Sequence, residues 1–415
     1  MKLEAWQRNL YAVWLAQFLA LAGANLVFPF IPFFIKDIGV ESDSAAALWS
    51  GVANTATGAM LFVSAPLWGS LSDRFGRKLM LLRAHAGAMV TVTLQAAVQN
   101  VWQLVGLRAL QGAFVGTIPA ATALVAASTP ASRMAYALGM LQMGVFTSQT
   151  VGPVIGGAMA DAVGFRLTFA IGGLMYIFSF ALVFFFVKED FTRPEPGNRA
   201  SYMDNLRAVI SVPSMMLLIT VMFLVSSASV FVRPIIPLVV ESFTSADEAA
   251  STAGLVFAAL ALTSAIAAVG AARVAMRAGY RTTLVLATLG AGVAYIPVAV
   301  AEELLPLVLL MAAVGVFSGA MIPTVNALIG ASAPEGKHGS AFGLVGSAQA
   351  LSFAIAPLLG GITAAKLGIH APFAIIGTML IGVAGLVWLT VREPAPQTDR
   401  EPSGEAATTP ATPSR

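Results

Sequence analysis

The chain has 415 residues, of which 58% are hydrophobic and only 10% charged, with 38 glycines, no cysteine and a formal net charge of +3. That composition fits a protein solvated by lipid and excludes a soluble enzyme. Disulfide, thiol and cysteine-metal chemistry are excluded too, and His85, His338 and His370 are too scattered for a metal site.

Apolar stretches of spanning length follow one another almost without interruption. They predict an all-α integral membrane protein with twelve transmembrane helices, at 9–35, 47–71, 79–98, 101–125, 136–160, 165–187, 213–240, 250–273, 282–301, 304–330, 338–365 and 370–391. Residues 1–10 are short and mixed in charge, and the apolar run behind them is too long for a signal-peptide core, so the first span is expected to be retained. The longest polar intervals are 188–212 and the Pro-, Thr- and Glu-rich tail after Val391, which is expected to be disordered. The expected organisation is a six-helix bundle at 1–187, a cytoplasmic linker at 188–212, a second six-helix bundle at 213–391 and a tail at 392–415.

With both termini placed inside, eighteen Lys and Arg residues fall on the cytoplasmic side, and only Lys36, Arg166 and Lys366 fall outside. This is the positive-inside bias, and it predicts a multi-pass protein of the cell membrane with cytoplasmic termini. The basic residues form no stripe or patch, so the pI of about 9.3 does not point to nucleic acid.

Sliding the chain on itself by 204 residues lays Pro119 on Pro323, Pro130 on Pro334, Gly139 on Gly343, Ser148 on Ser352, Pro153 on Pro357 and Gly156-Gly157 on Gly360-Gly361. At 205 residues, Pro29-Phe30-Ile31-Pro32 meets Pro234-Ile235-Ile236-Pro237. Each half thus opens with a helix carrying P-x-x-P near its outer end, where freed carbonyls are tolerated if they face protein or a water-lined cavity. Two parallel repeats related by an axis along the membrane normal place a binding site midway between them.

Between the second and third spans the chain reads GSLSDRFGRK, with Gly69, Asp73, Arg74, Gly76, Arg77 and Lys78. The pattern G-x-x-x-D-R-x-G-R-K resembles the loop signature of the major facilitator superfamily. The resemblance implies that Asp73 latches an inward-closed arrangement by facing the start of the eleventh span at Gly339-Ser340, a helix end that favours a carboxylate. Capping of its own loop is the alternative role for Asp73. In the second half Arg277, Gly279 and Arg281 echo the motif, with Met276 where the aspartate would stand.

Arg108, Gln111 and Gly112 resemble the R-x-x-Q-G motif of the same family; an arginine here should face the protein interior. Gly139, Ser148, Gly152, Pro153, Gly156 and Gly157 resemble the antiporter signature of drug-exporting facilitators, with Ser148 in place of a glycine. Small residues at 148, 152 and 156 also make a packing groove, so helix packing and export directionality both remain open. Arg233, just before Pro234, would either bind an anionic substrate group or snorkel to the outer surface. Asn25, Asn54, Gln142, Gln149, Asn326 and Gln349 supply further polar contacts. Gln142, Phe146 and Gln149 share a helix face that would suit a bulky amphipathic ligand, although interhelical hydrogen bonding explains the amides equally well.

Beyond these motifs, Arg8-Asn9-Leu10, Trp49-Ser50-Gly51, the run GRKLMLLR at 76–83 and Leu107-Arg108-Ala109-Leu110 look like bacterial multidrug exporters of the twelve-span drug/proton antiporter family. That resemblance implies proton-driven export of amphipathic drugs, with antibiotic resistance as its consequence. The implied partners are a small-molecule substrate, protons and the lipid bilayer, with the monomer as expected functional unit and no cofactor other than the proton gradient. No Asp or Glu is placed near the bilayer midplane, so Asp37, Asp73, Asp161, Glu241 and His85 all stand as proton-carrying candidates. A facilitator or symporter of a small anionic metabolite, using converging Arg108 and Arg233, is the alternative. A receptor is disfavoured because no soluble signalling domain fits the chain; a membrane-embedded enzyme lacks a nucleophile-base pair, and an ATP-driven pump lacks its G-x4-G-K-[ST] loop.

Overall fold

The computed structural model describes residues 4–114, 116–189, 207–334 and 337–393; most of the expected linker, and the tail from 394 onward, lie outside the described residues. Helices account for twelve spans. Span 1 comprises Ala5–Asn25 and Ile31–Asp37, span 2 Asp43–Phe75, span 3 Arg77–Gln95, span 4 Val101–Phe114 and Thr117–Ser128, span 5 Met134–Val163 and span 6 Phe165–Phe186. Span 7 comprises Pro213–Phe231 and Ile236–Glu241, span 8 Ala249–Ala278, span 9 Tyr280–Val298, span 10 Leu304–Ser332, span 11 His338–Leu367 and span 12 Ala371–Thr390. Ten of these, among the described residues, are long and apolar enough to cross a membrane. Spans 3 and 5 are the two that fall short: span 3 carries Arg77, Lys78 and Arg83 with His85 and Gln95, and span 5 carries Gln142, Gln149 and their threonine neighbours.

The charged 69–78 segment is shorter as a loop than its sequence predicts. Span 2 continues as helix to Phe75 and span 3 begins at Arg77, leaving Gly76 alone between them with φ +92°. A residue without Cβ adopts that φ at little cost, so one glycine reverses the chain and the charges decorate helix ends. Gly164 and Gly279 make the same one-residue connection after spans 5 and 8, at φ +82° and +85°.

The paired P-x-x-P segments break spans 1 and 7 outright. Each proline removes an N–H from the helical ladder, and the chain passes through a short irregular turn before Ile31 and Ile236 resume the helix. Pro153 and Pro357, by contrast, sit inside continuous helices.

Packing repeats between halves. Spans 1 and 5, 2 and 4, and 3 and 6 pack together in the first, as do spans 7 and 11, 8 and 10, and 9 and 12 in the second. The halves meet through spans 2 and 11 and through spans 5 and 8, which puts the breaks of spans 1 and 7 on the inside of the molecule.

Candidate functional site

The face carrying the 1–2 and 7–8 connections is the one the charge bias assigns to the outside, and here the halves are sealed together. A Cβ on Gly51 would come 2.5 Å from the Pro357 carbonyl oxygen, and one on Gly361 2.6 Å from that of Ala47. The repeat-related contacts are Gly254 against the Pro153 carbonyl and Gly157 against that of Ala250, both closer still. Gly156 and Gly360 face inward within their own halves, against the Leu26 and Phe231 carbonyls beside the breaks of spans 1 and 7. The glycine pairs of spans 5 and 11 therefore each pack on two sides: one glycine on its own half's broken helix, the other across the interface. Gly152 abuts Asn25, whose amide nitrogen donates to the Leu21 carbonyl at 2.9 Å, and Ser148 is buried and donates to the Val145 carbonyl at 2.8 Å.

Charges reinforce the seal. Lys36 at the end of span 1 donates to Glu241 at the end of span 7 at 2.8 Å and to Asp43 at 3.0 Å. The Asp161 carboxylate accepts the backbone N–H groups of Ala250 and Ser251 at 3.2 and 2.7 Å, capping the positive end of span 8 from the opposite half.

At the inner face the described glycines make no such contact. A Cβ on Gly69, Gly139, Gly270, Gly339 or Gly343 would meet nothing within 4 Å. Glu189, just after span 6, accepts from the N–H groups of Arg77 and Lys78 at 2.9 and 2.7 Å, while Lys78 Nζ donates to the Val187 carbonyl at 2.6 Å. Glu393, its repeat equivalent, does the same for Tyr280 and Arg281. Arg74 lies over the Phe75 ring at 5.2 Å. The loop motif thus ties span 3 to span 6 within its own half. The side chain of Asp73 lies outside the described residues, although its backbone is part of span 2.

Arg108, 3% exposed, is held inside the first half by both terminal nitrogens, its buried Nε alone lacking a partner. Its guanidinium donates to Asn54 Oδ1 at 2.5 Å and Gln111 Oε1 at 3.1 Å and lies 4.5 Å from the Phe28 ring. Gln95 donates to the same Gln111 oxygen at 3.2 Å, and Thr57 accepts nothing from this cluster but donates to the Arg108 carbonyl at 3.0 Å. Neutral amide oxygens and an aromatic face replace a counter-ion. His85 is also sealed, at 0% exposure, with its ring 3.2 Å from Ser179 Oγ; that hydroxyl donates to the Ala16 carbonyl, so the imidazole supplies the N–H.

Arg233 is placed differently. It sits in the break of span 7, where residues 230–232 and 234–240 are all buried, yet its own side chain is exposed, as is that of Ser229 four residues earlier. A residue accessible on an otherwise buried inner helix lines an internal space. No hydrogen bond or ion pair reaches Arg233 among the described residues, and the Tyr295 phenol is near enough to interact with it electrostatically. The amides fall on both halves. Gln142 is exposed and Phe146 and Gln149 half-buried on span 5, while Asn326 and Gln349 are half-buried on spans 10 and 11, with Gln349 3.8 Å from Met222 Sδ. Gln17, Thr122 and Gln142 line a cavity of about 110 Å³ between spans 1, 4 and 5. Arg108 and Arg233 thus do not converge on one point: the first is consumed by its own bundle and the second is free.

Gln17, Gln95, Glu189 and Glu393 escaped sequence reasoning. Two of them were detectable, since a glutamine inside an apolar span is costly unless it is paired. The glutamates gain meaning only from their separation of 204 residues, the repeat offset.

The family model described as Major Facilitator Superfamily matches residues 13–244 and 218–415. The chain is 32% identical over 396 residues to the multidrug resistance protein MdtG of Proteus mirabilis, covering 94% of this chain and 98% of that one. It is 31% identical over 405 residues to MdtG of Dickeya zeae, with 97% and 98% coverage. Among solved structures, the nucleoside transporter NupG superposes with a TM-score of 0.78 at 11% identity, over 92% of this chain and all of that one. A D-xylose-proton symporter gives 0.75 at 16% identity, over 93% and 98%. At those identities the structures establish the fold alone.

Proposed function

The chain belongs to the Major Facilitator Superfamily and is a multi-pass membrane transporter, and from that premise we propose that it exports amphipathic drugs from the cytoplasm in exchange for protons, by alternating access. The observation that carries the mechanism is the asymmetry between faces: glycine-to-carbonyl contacts and two charged latches seal the outer ends, while Gly69, Gly139, Gly270, Gly339 and Gly343 at the inner ends meet nothing. This is an inward-open arrangement, in which a substrate reaches the cavity from the cytoplasmic side. Rocking the halves about spans 2, 5, 8 and 11 opposes the inner ends and releases the outer ones.

The names of the MdtG relatives, which span nearly the whole chain, support drugs as cargo. The charge bias supports a cell-membrane location with both termini cytoplasmic. In the outward-open state Asp73 is our gating residue, facing the start of span 11 at Gly339-Ser340. Protons have no carboxylate to load near the membrane centre, but Glu241 and Asp161 hold the outer seal, so neutralising them weakens it and links proton entry to outward opening.

The test is flux. Purified protein in liposomes is given a proton gradient of either sign, and accumulation of fluorescent amphiphiles is followed against protein-free vesicles. Gradient-dependent accumulation that a protonophore abolishes is the expected result, and Asp73→Asn is expected to lower it at matched expression. Gradient-insensitive movement by folded protein overturns proton coupling.

A further inference from the structure

We propose that Arg233 is the recognition point for an anionic group on the substrate, so that the transported amphiphiles are organic anions, carboxylates foremost. The proposal rests on the transporter reading above but concerns binding, which is measurable without transport.

Arg108 and Arg233 are the arginines set deepest in the spans; Arg83, nearer the inner end of span 3, donates to the Phe114 carbonyl at 3.3 Å and lies over the Trp68 ring. The guanidinium of Arg108 is consumed: Asn54 and Gln111 accept from it, Phe28 covers its face, and Thr57 holds its backbone. Arg233 has none of this, although it lies on a helix whose neighbouring residues are all buried. No Asp or Glu lies in the interior of any span to neutralise it. Glu241 is two helical turns away, at the outer end, and is already paired with Lys36. A guanidinium held in a low-dielectric cavity without a counter-ion favours an incoming anion, and its planar fork matches a carboxylate with two parallel hydrogen bonds.

Its position suits that task. The proline break sets Arg233 close to the sealed outer ends, and its repeat equivalent, at an offset of 205 residues, is the uncharged Phe28. The Tyr295 phenol, the group that interacts with Arg233, and the accessible Gln142, Phe146 and Gln349 on spans 5 and 11 carry no formal charge. The cavity therefore offers one cation and otherwise neutral walls, which selects an amphiphile with one negative end.

The probes are a dansyl-labelled long-chain carboxylate, its methyl ester and the corresponding primary amine, bound to detergent-purified protein and followed by fluorescence. Wild-type protein should bind the carboxylate at least about tenfold more tightly than the ester, the scale of one charge-assisted contact. Arg233→Ala should remove that preference by weakening carboxylate binding alone, and Arg233→Lys should retain part of it. Unchanged ester binding certifies that the variant is folded. An Arg233→Ala protein with an unaltered carboxylate-to-ester ratio overturns the proposal, as does a wild-type preference for the ester or the amine. If the preference holds but no probe crosses liposomes under any gradient, the export reading fails and the anion site stands.

Discussion

Lys36 and Glu241 occupy equivalent positions in the two repeats, 205 residues apart, and form an ion pair with each other at 2.8 Å. Equivalent residues touch only beside the axis that relates the halves, so this pair marks the axis at the outer face. The charges are opposite where the repeat alone would have given like charges. The two-fold arrangement is thereby closed by attraction, and separating the halves at this face must break it.

Removing this pair should bias the protein toward outward opening. The pair is partly exposed, so a shift of about 1 kcal/mol, or roughly fivefold in population, is expected. Because the chain has no cysteine, a single Ala47→Cys substitution reports on the seal through its reaction with a membrane-impermeant maleimide. Glu241→Gln should accelerate labelling severalfold. Exchanging the charges, with Lys36→Glu and Glu241→Lys, should restore protection only in part, since Asp43 would then face a like charge.

The glycines of the antiporter-like motif should separate into two classes. At Gly157 a Cβ would overlap the Ala250 carbonyl across the interface, and at Gly156 the Leu26 carbonyl. Alanine at 157 should obstruct the outer seal and alanine at 156 should displace the broken span 1, and each should cut flux at least about tenfold, the effect of roughly 1.4 kcal/mol. Gly139→Ala meets open space and should transport normally. Equal sensitivity at all three sites would contradict the packing account.

Arg108 is expected to act through stability. Arg108→Ala leaves the half-buried Asn54 oxygen without its donor and removes one donor from the buried Gln111 oxygen, at a cost of about 1–3 kcal/mol. Arg108→Lys should recover little, because Asn54 and Gln111 are reached by different guanidinium nitrogens. Thermal unfolding in detergent checks this, and an unchanged midpoint in Arg108→Ala would refute it.

His85 should be dispensable for energy coupling. It is enclosed by spans 1, 3 and 6 against Ser179 and Tyr176 and does not reach the cavity. His85→Gln should keep gradient-dependent flux, at some cost in stability. Flux that loses its dependence on the gradient would restore the histidine as a proton carrier.

Much of the architecture is legible in residues. Hydrophobic runs locate the twelve spans within a few positions, because lipid leaves the backbone few alternatives to helix. The P-x-x-P pairs mark the breaks of spans 1 and 7, and Gly156-Gly157 with Gly360-Gly361 mark close approaches. What those glycines approach was not legible: Gly157 meets Ala250, and Gly361 meets Ala47, through docking of the halves, which no local pattern encodes. The 69–78 loop is shorter than its charges suggest for a related reason, since a single φ at Gly76 lets both helices run to the turn. Arg233 was visible as an expensive residue; that it stays unpaired while Arg108 does not follows from their neighbours on other spans.

The central claim is that opening at one face accompanies closing at the other. Spin labels at Glu41→Cys and Asp247→Cys report the outer separation, and labels at Arg133→Cys and Arg273→Cys the inner one, all at exposed positions. Distances measured by double electron-electron resonance should be compared with and without Asp161→Asn and Glu241→Gln, which weaken both outer latches. The account predicts a longer outer distance together with a shorter inner one. An outer distance that lengthens while the inner distance stays fixed would contradict it.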